Sequence, residues 1–239
     1  MSLRKHIPDT ITSMNLLCGI VGVIFTLEGR PDLGFILMFC GAGFDFLDGF
    51  AARMLHASSG IGKELDSLAD VVTFGVLPSV MLYVAGCRDF PLLRLFPVIL
   101  AAFSALRLAK FNVDERQHGS FLGLPTPASA MICGSLVSFV TAEPDSFLAS
   151  WCAGPVFLPL LAVVLSVLLV SEVPMFAMKF GVGGSSKSDN VKRLVFLVLA
   201  VAAVLAVVLT GSHWSLAVLA AFVGYVLVNL CAALVKPSR

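Results

Sequence analysis

Long apolar runs separated by short polar breaks repeat along the whole chain of 239 residues. A helix that crosses a membrane needs about 20 consecutive apolar residues, with a usual range of about 17–25. Eight runs have this length, and glycine, proline or charged residues typical of turns lie between them. The predicted spans are residues 11–27, 33–52, 66–86, 91–110, 124–142, 151–171, 192–210 and 214–235.

The clearest interruption of this pattern is the sequence GVGGSSKSDN at residues 181–190. Its glycines, serines and charges predict a flexible cytoplasmic loop. We therefore divide the chain into a transmembrane core over residues 1–180, this loop, and a C-terminal pair of transmembrane helices over residues 191–239. The last two spans hold almost no polar residues, so we expect them to serve packing or dimerisation rather than chemistry.

Composition and charge agree with the apolar pattern and give it an orientation. Hydrophobic residues make up 58% of the chain and charged residues only 13%, against about 25% charged in a typical soluble domain. Eight spans put both termini on one side, and that side receives all 16 lysines and arginines except Arg30, Arg88 and Arg94. Because basic loops face the cytoplasm, we expect cytoplasmic termini in a prokaryotic-type cell membrane.

The predicted fold is therefore an all-α integral membrane protein, a polytopic bundle of about eight transmembrane helices with a cytoplasm-facing polar cavity. The net charge of +1 gives no reason to expect a nucleic acid partner.

Four aspartates lie where the second span ends and the third begins. Asp45 and Asp48 are three residues apart, and Asp66 and Asp70 are four apart. Each pair therefore shares one face of a helix, and the short connection makes the two helices antiparallel neighbours. The two acidic faces can converge at the cytoplasmic end of these spans.

Converging carboxylates repel one another and are costly to insert near a membrane. Either some are protonated or cations lie between them. Carboxylate oxygens suit hard divalent ions such as Mg²⁺ or Mn²⁺, and two ions distribute the charge better than one. The alternatives are solvated loop acids and a proton or cation path in a transporter.

The residues between the acids carry a resemblance to a known family. The pattern Asp48-Gly49-x-x-Ala52-Arg53, eight residues, then Gly62-x-x-x-Asp66-x-x-x-Asp70 resembles the signature of the CDP-alcohol phosphotransferases. The resemblance implies transfer of a phosphatidyl group from a CDP-linked lipid to an alcohol, with release of CMP. It also implies two divalent cations on Asp45, Asp48, Asp66 and Asp70, with Asp70 as the general base.

The same resemblance implies a nucleotide site. Glycine and alanine in the signature let a pyrophosphate approach the backbone, and the planar guanidinium of Arg53 suits phosphate. The segment IPDTITSMN resembles the family's nucleotide-facing stretch. The residues expected to bind the nucleotide or CDP-lipid are Thr12, Asn15, Gly49, Ala52, Arg53, Ser59 and Gly62.

Three further stretches resemble the phosphatidylserine synthases of this family: SLADVVTFGVLPS at 67–79, ALRLAKFNV at 105–113 and FLGLPTPASA at 121–130. These enzymes use CDP-diacylglycerol and L-serine. The carboxylate of serine needs a cation or several donors in a semi-buried pocket. The residues proposed for that contact are Arg107, Lys110, Asn112 and Thr126.

The family resemblance also leads us to expect a homodimer surrounded by membrane lipids. Two alternatives remain open from the sequence: the same chemistry with another acceptor, such as glycerol 3-phosphate or inositol, and a cation-coupled transporter.

Overall fold

The computed structural model describes residues 6–55, 60–113, 121–175 and 187–235, and these residues are almost entirely helical. The α-helices are His6–Leu27 (α1), Pro31–Met54 (α2), Gly60–Asp70 (α3), Leu77–Ala85 (α4), Pro91–Leu95 (α5), Ile99–Val113 (α6), Thr126–Ala142 (α7), Phe147–Ala153 (α8), Phe157–Val170 (α9), Lys187–Thr210 (α10) and Ser215–Val235 (α11). A π-helical segment, Val71–Val76, joins α3 to α4, and a 3₁₀ turn, Phe96–Val98, joins α5 to α6.

Six of the predicted spans form helices that are long and apolar enough to cross a membrane. They are His6–Leu27, Pro31–Met54, Gly60–Ala85, Pro91–Val113, Asn190–Thr210 and Ser215–Leu234. The predicted break between the third and fourth spans is confirmed, because α4 ends at Ala85 and α5 begins at Pro91. The all-helical class and the apolar spans typical of a membrane protein are thus confirmed.

The other two predicted spans contain shorter helices. The fifth forms α7, which has 17 residues. A single helix over 151–171 was wrong, because α8 and α9 meet at a bend of 90°. Gly154 at the bend has an extended backbone, with φ −71° and ψ 155°. It precedes Pro155, and a residue before proline avoids the helical conformation. The described residues therefore give six candidate spans, or seven if the bent pair counts as one.

Close packing of α1 on α2 brings the N-terminal end of α1 beside the C-terminal end of α2. Gly29, with φ +83°, makes the turn between them, and Pro31 begins α2. A Cβ atom built on Gly34 would lie only 3.1 Å from the carbonyl oxygen of Gly22. Small residues of this kind allow helix backbones to approach closely inside membranes.

Helix α7 lies at the centre of the fold. Thirteen of its 17 residues are buried, and it packs against α2, α4 and α11. Gly134 on α7 faces the ring of Phe35 on α2. The first residue of α7, Thr126, is thereby held in the interior rather than at the surface.

A two-residue strand pair holds the chain just before α7. Phe121–Leu122 (β1) pairs antiparallel with Pro174–Met175 (β2), with Leu122 opposite Pro174. Gly123 has a φ of +79°, and its N–H donates to the carbonyl of Val173 at 2.9 Å. Such pairing satisfies backbone groups that no helix satisfies, as a membrane interior requires.

The C-terminal helices pack on the core in sequence, α11 on α7 and α10 on α11. At the turn between them, Trp214 stacks on Phe35 with ring centroids 5.3 Å apart. The backbone N–H of His213 donates to the carboxylate of Glu143. Helix α10 begins at Lys187, inside the predicted loop 181–190; residues 181–186 lie outside the described residues.

Candidate functional site

The structure brings together the four aspartates, here called the aspartate cluster (Asp45, Asp48, Asp66 and Asp70). Asp45, Asp48 and Asp66 each offer a carboxylate oxygen, and these oxygens all lie within 4.8 Å of one another. The carboxylate of Asp70 is close enough to interact electrostatically with the other three. The two aspartates on α2, spaced three residues apart, therefore face the two on α3, spaced four residues apart, as predicted.

Helix α1 fixes the orientation of two of these carboxylates. The hydroxyl of Thr12 donates to Asp48 Oδ2 at 2.6 Å, and the amide of Asn15 donates through Nδ2 to Asp70 Oδ1 at 3.1 Å. All four side chains are buried. Thr12 and Asn15 were predicted to contact a nucleotide; that contact stays a prediction, and the contacts they make here are with aspartates.

A residue not anticipated from the sequence supports Asn15. The hydroxyl of Thr73 donates to the backbone carbonyl of Asn15 at 3.0 Å, and Thr73 is fully buried. It lies in the π-helical segment that follows Asp70 directly, and such segments occur often at functional sites. The π-helical turn has no simple sequence signal, so the spacing of the acids alone could not indicate it.

The aspartate cluster fits divalent cations. Three carboxylates from two helices within 4.8 Å form an oxygen-only set of ligands, which Mg²⁺ and Mn²⁺ prefer to softer ligands. The hydroxyl of Thr12 and the amide of Asn15, which donate to Asp48 and Asp70, are both neutral groups. Neutral donors do not cancel the charge of a carboxylate, and a divalent cation is a suitable counter-charge for such a cluster.

The small residues of the signature lie on α2 and α3, close in sequence to the aspartates of the cluster. A Cβ atom built on Gly49 would meet only Arg53 Nη1, at 3.6 Å, within a radius of 4 Å among the described residues. Gly49, Ala52 and Gly62 are half-buried, and the side chain of Arg53 is exposed. The guanidinium of Arg53 therefore lies beside the backbone of α2 at Gly49. The predicted Ser59 lies outside the described residues.

A buried cation interacts with Asp70. Arg107 on α6 is 8% exposed and donates through Nη1 to the hydroxyl of Thr126 at 3.1 Å. Its guanidinium lies 5.3 Å from the ring centre of Phe111 and interacts electrostatically with Asp70. We call Arg107 and Thr126 the arginine site. Two of the four residues predicted for serine thus meet next to the aspartate cluster.

The other two predicted serine residues make different contacts. Lys110 Nζ lies 3.9 Å from Glu172 Oε1, in an ion pair whose side chains are 46% and 68% exposed. Asn112 donates to the hydroxyl of Ser67 at 2.7 Å. Asn112 is five residues from Arg107, so the two occupy different faces of α6. Asn112 therefore ties α6 to α3, and Lys110 lies at the surface.

A second unanticipated residue reaches the arginine site from the last helix. Tyr225 on α11 is fully buried and interacts electrostatically with Arg107. The expectation that the last two spans serve packing or dimerisation rather than chemistry stays a prediction. A lone tyrosine within a run of apolar residues was the available signal.

Comparison with known proteins gives a consistent result. The family model for CDP-alcohol phosphatidyltransferase matches residues 5–170. A CDP-diacylglycerol–serine O-phosphatidyltransferase of Mycobacterium tuberculosis is 34% identical over 208 residues, which cover 84% of this chain and 70% of the relative. The Bacillus subtilis protein of the same name is 37% identical over 136 residues, 56% of this chain and 76% of the relative.

A third relative has a different name. An archaetidylserine synthase of Methanothermobacter thermautotrophicus is 35% identical over 133 residues, covering 54% of this chain and 56% of the relative. The family match contains the aspartate cluster, Arg107 and Thr126, but it stops before α10 and α11.

Proposed function

Because this chain belongs to the CDP-alcohol phosphatidyltransferase family, we propose that it transfers the phosphatidyl group of CDP-diacylglycerol to L-serine, giving phosphatidylserine and CMP. Two relatives at 34% and 37% identity carry the name of this reaction. The structural observation that carries the proposal is the convergence of four aspartates beside a buried arginine.

Two divalent cations, Mg²⁺ or Mn²⁺, are assigned to the aspartate cluster. When bound, they would neutralise the pyrophosphate and stabilise the charge that develops on the departing CMP. Thr12 and Asn15 keep Asp48 and Asp70 turned toward the other two acids through the hydrogen bonds described above. The convergence of at least three carboxylate oxygens within 4.8 Å supports this assignment.

The nucleotide and its pyrophosphate are assigned to the surface formed by Gly49, Ala52, Arg53 and Gly62. The guanidinium of Arg53 can present two parallel N–H groups to a phosphate. Gly49 has no side chain that would separate this phosphate from the backbone of α2, and the guanidinium of Arg53 lies next to it. Thr12, Asn15 and Ser59 remain predicted contacts of the same ligand.

The acceptor serine is assigned to the arginine site. Its carboxylate would face the buried guanidinium of Arg107, with Thr126 as a neighbouring polar group. Its hydroxyl oxygen would then attack the β-phosphorus while Asp70 takes the hydroxyl proton. The bond between that phosphorus and the oxygen bridging the two phosphates breaks, and CMP leaves with the electron pair. The electrostatic proximity of Asp70 and Arg107 supports this arrangement.

We further propose the membrane arrangement in which this site functions. Eight crossings, with both termini in the cytoplasm of a prokaryotic-type cell, require α7 and the bent pair α8–α9 to span as well. The site would then lie in a cytoplasm-facing cavity, open to lipid for the acyl chains of the donor. In this arrangement the chain is divided into a transmembrane core over residues 1–180, a cytoplasmic loop over 181–190 and a C-terminal pair of transmembrane helices over 191–239. A homodimer stays a prediction.

The decisive experiment uses the purified protein in lipid nanodiscs with CDP-diacylglycerol and Mn²⁺ or Mg²⁺. L-Serine should give phosphatidylserine and CMP in equal amounts, and chelation with EDTA should stop both. Glycerol 3-phosphate and inositol are tested in parallel. Product formation with either of these and none with serine would assign another acceptor. Ion flux in liposomes without any lipid product would assign a transporter instead.

A further inference from the structure

Thr73 fills a narrow notch between α1 and α2. It lies three residues after Asp70, in the π-helical segment Val71–Val76, and is fully buried. A Cβ atom built on Gly19 of α1 would lie 3.0 Å from the backbone nitrogen and the Cα of Thr73. A Cβ atom built on Gly41 of α2 would lie 2.6 Å from its methyl carbon Cγ2. The two glycines therefore leave the space that Thr73 occupies, and a larger side chain at either position would displace it.

Asn15 of α1 is attached to this part of the chain at two points. Its backbone carbonyl accepts from the hydroxyl of Thr73 at 3.0 Å, and its side-chain Nδ2 donates to Asp70 Oδ1 at 3.1 Å. The two contacts join one residue of α1 to two residues that are three apart in the sequence. Helix α1 thus holds both the carboxylate of Asp70 and the backbone turn that follows it.

The side chain of Asn15 depends on its own backbone for its position. Its Oδ1 atom is buried and has no hydrogen-bond partner in the described part of the chain. A Cβ atom built on Gly41 would lie 2.8 Å from this Oδ1, so the backbone of α2 closes that side of the amide. The hydrogen bond to Asp70 is therefore lost when the backbone of Asn15 shifts, because no second hydrogen bond of the side chain retains it. The hydroxyl of Thr73 opposes such a shift by holding the backbone carbonyl.

We propose that Thr73 is a positioning residue for Asp70. Its hydroxyl fixes the backbone of Asn15, and the amide of Asn15 in turn directs the carboxylate of Asp70 toward the hydroxyl of the acceptor. This inference rests on the proposed function, in which Asp70 is the general base. A small misplacement of a reacting group lowers the rate strongly. Thr73 contacts neither the donor nor the acceptor in this scheme, so its effect falls on kcat rather than on substrate binding.

The test compares two substitutions of Thr73 that remove different atoms. Thr73→Val keeps the branched shape and removes the hydroxyl, so kcat for CMP release at saturating Mn²⁺ should fall about tenfold, as expected for loss of an orienting group. The KM values for CDP-diacylglycerol and L-serine should stay within about twofold, because neither substrate loses a contact. Thr73→Ser keeps the hydroxyl and removes only the methyl group, so its kcat should stay within about threefold of the wild type.

Gly19→Ala displaces Thr73 from the side of α1 and leaves Thr73 itself unchanged. The added methyl group would fall on the hydroxyl of Thr73, so kcat should fall about tenfold while both KM values are kept. Gly22→Ala is the matched control. Gly22 lies three residues further along α1, and the nearest neighbour of a Cβ atom there would be the side chain of Leu77, at 2.7 Å. Both variants crowd the packing of α1, but only Gly19→Ala should lower kcat.

A double-mutant cycle separates positioning from a general loss of structure. If Thr73 acts through the side chain of Asn15, Thr73→Val should lower kcat by less than about twofold in an Asn15→Ala background. A general structural effect would instead lower kcat by the same factor in both backgrounds.

An unchanged kcat in Thr73→Val, or a loss that persists in the Asn15→Ala background, overturns the positioning role of Thr73. Where Thr73→Val gives too little folded protein, Gly19→Ala decides, and a kcat equal to that of Gly22→Ala overturns the role as well. Failure of the wild-type protein to make any phosphatidylserine overturns the proposed function instead. The two failures are thus distinguishable in one set of assays.

Discussion

The two sides of the site are built from different parts of the chain and carry opposite charge. The aspartate cluster comes from α2 and α3, which follow each other in sequence, and α1 supports it through Thr12 and Asn15. The arginine site joins α6 to α7, with α11 beside it. One side is a group of carboxylates, whereas the other contains a single buried guanidinium.

This difference separates the expected consequences of mutation. Changes in the aspartate cluster should affect metal and donor binding or the chemical step, because those carboxylates face the phosphates in the proposed function. Changes in the arginine site should affect the acceptor and leave the donor largely alone. A variant that changes both sides equally would show that the site does not divide in this way.

The largest effect is expected from Asp70→Asn. An amide cannot take the proton of the serine hydroxyl, so CMP release should fall about 10³-fold, within the usual range for a general base. Nucleotide binding should be largely retained, because Asp45, Asp48 and Asp66 remain. CMP release is measured by chromatography, and binding of CDP in the presence of Mn²⁺ is measured by calorimetry.

Asp32→Asn is the control for this substitution. Asp32 lies at the opposite end of α2, about half exposed and 3.9 Å from Arg30, so its loss should leave turnover unchanged. Normal turnover in Asp70→Asn would contradict the role of general base and leave the other three aspartates as the essential group.

Arg107→Lys should have the next largest effect, confined to the acceptor. Lysine keeps the charge but loses the planar pair of donors that matches a carboxylate. The KM for L-serine should rise about 30-fold, or about 2 kcal/mol, with little change in the KM for CDP-diacylglycerol. Steady-state kinetics with each substrate varied in turn separates the two constants.

Arg94→Lys is the matched control, because Arg94 also contacts an aromatic ring and donates to a backbone carbonyl, that of Tyr83. It belongs to neither side of the site and should leave both constants unchanged. An equal rise in both KM values in Arg107→Lys would mean that the arginine supports the whole site.

Thr12→Val should weaken metal binding by a smaller amount. The substitution keeps the side-chain shape and removes the hydrogen bond to Asp48, and loss of a group that orients a metal ligand costs about 10–100-fold in affinity. We expect the Mn²⁺ concentration for half-maximal activity to rise about tenfold, measured in a metal titration.

Ser13→Ala is the adjacent control, since the hydroxyl of Ser13 donates to the backbone carbonyl of Asp9 and not to an aspartate carboxylate. Its Mn²⁺ requirement should be that of the wild type. A Thr12→Val variant with an unaltered metal requirement would mean that Asp48 holds its orientation without α1.

The aspartate cluster could be predicted from the sequence because spacing determines it. Residues three or four apart on two consecutive helices face each other once the connection is short. The arginine site depends on which helices pack together, and no local spacing encodes that. Arg107 and Thr126 meet across 19 residues, and Tyr225, which interacts electrostatically with Arg107, lies 118 residues further along the chain.

The fold likewise has features that local sequence predicts and features that depend on tertiary packing. Six apolar runs of sufficient length form the expected helices, because the membrane imposes length and composition directly. The bend between α8 and α9 arises at Gly154 and Pro155. The composition around these two residues indicates one continuous apolar run and gives no sign of the bend. The π-helical turn after Asp70 contains Thr73, which contacts α1 through the carbonyl of Asn15, and a hydropathy pattern contains no information on such a contact.

Lys110→Ala tests the boundary of the arginine site and should have the smallest effect. Lys110 and Arg107 are three residues apart and similarly charged, so sequence spacing gave them the same role. In the structure Arg107 is buried, whereas Lys110 forms an exposed ion pair with Glu172 at 3.9 Å. Exposed ion pairs contribute about 0–1 kcal/mol, so the serine KM should change less than about threefold, as in the matched variant Glu172→Gln. A tenfold rise in Lys110→Ala alone would extend the acceptor site to the surface of α6 and weaken the assignment of the carboxylate to Arg107.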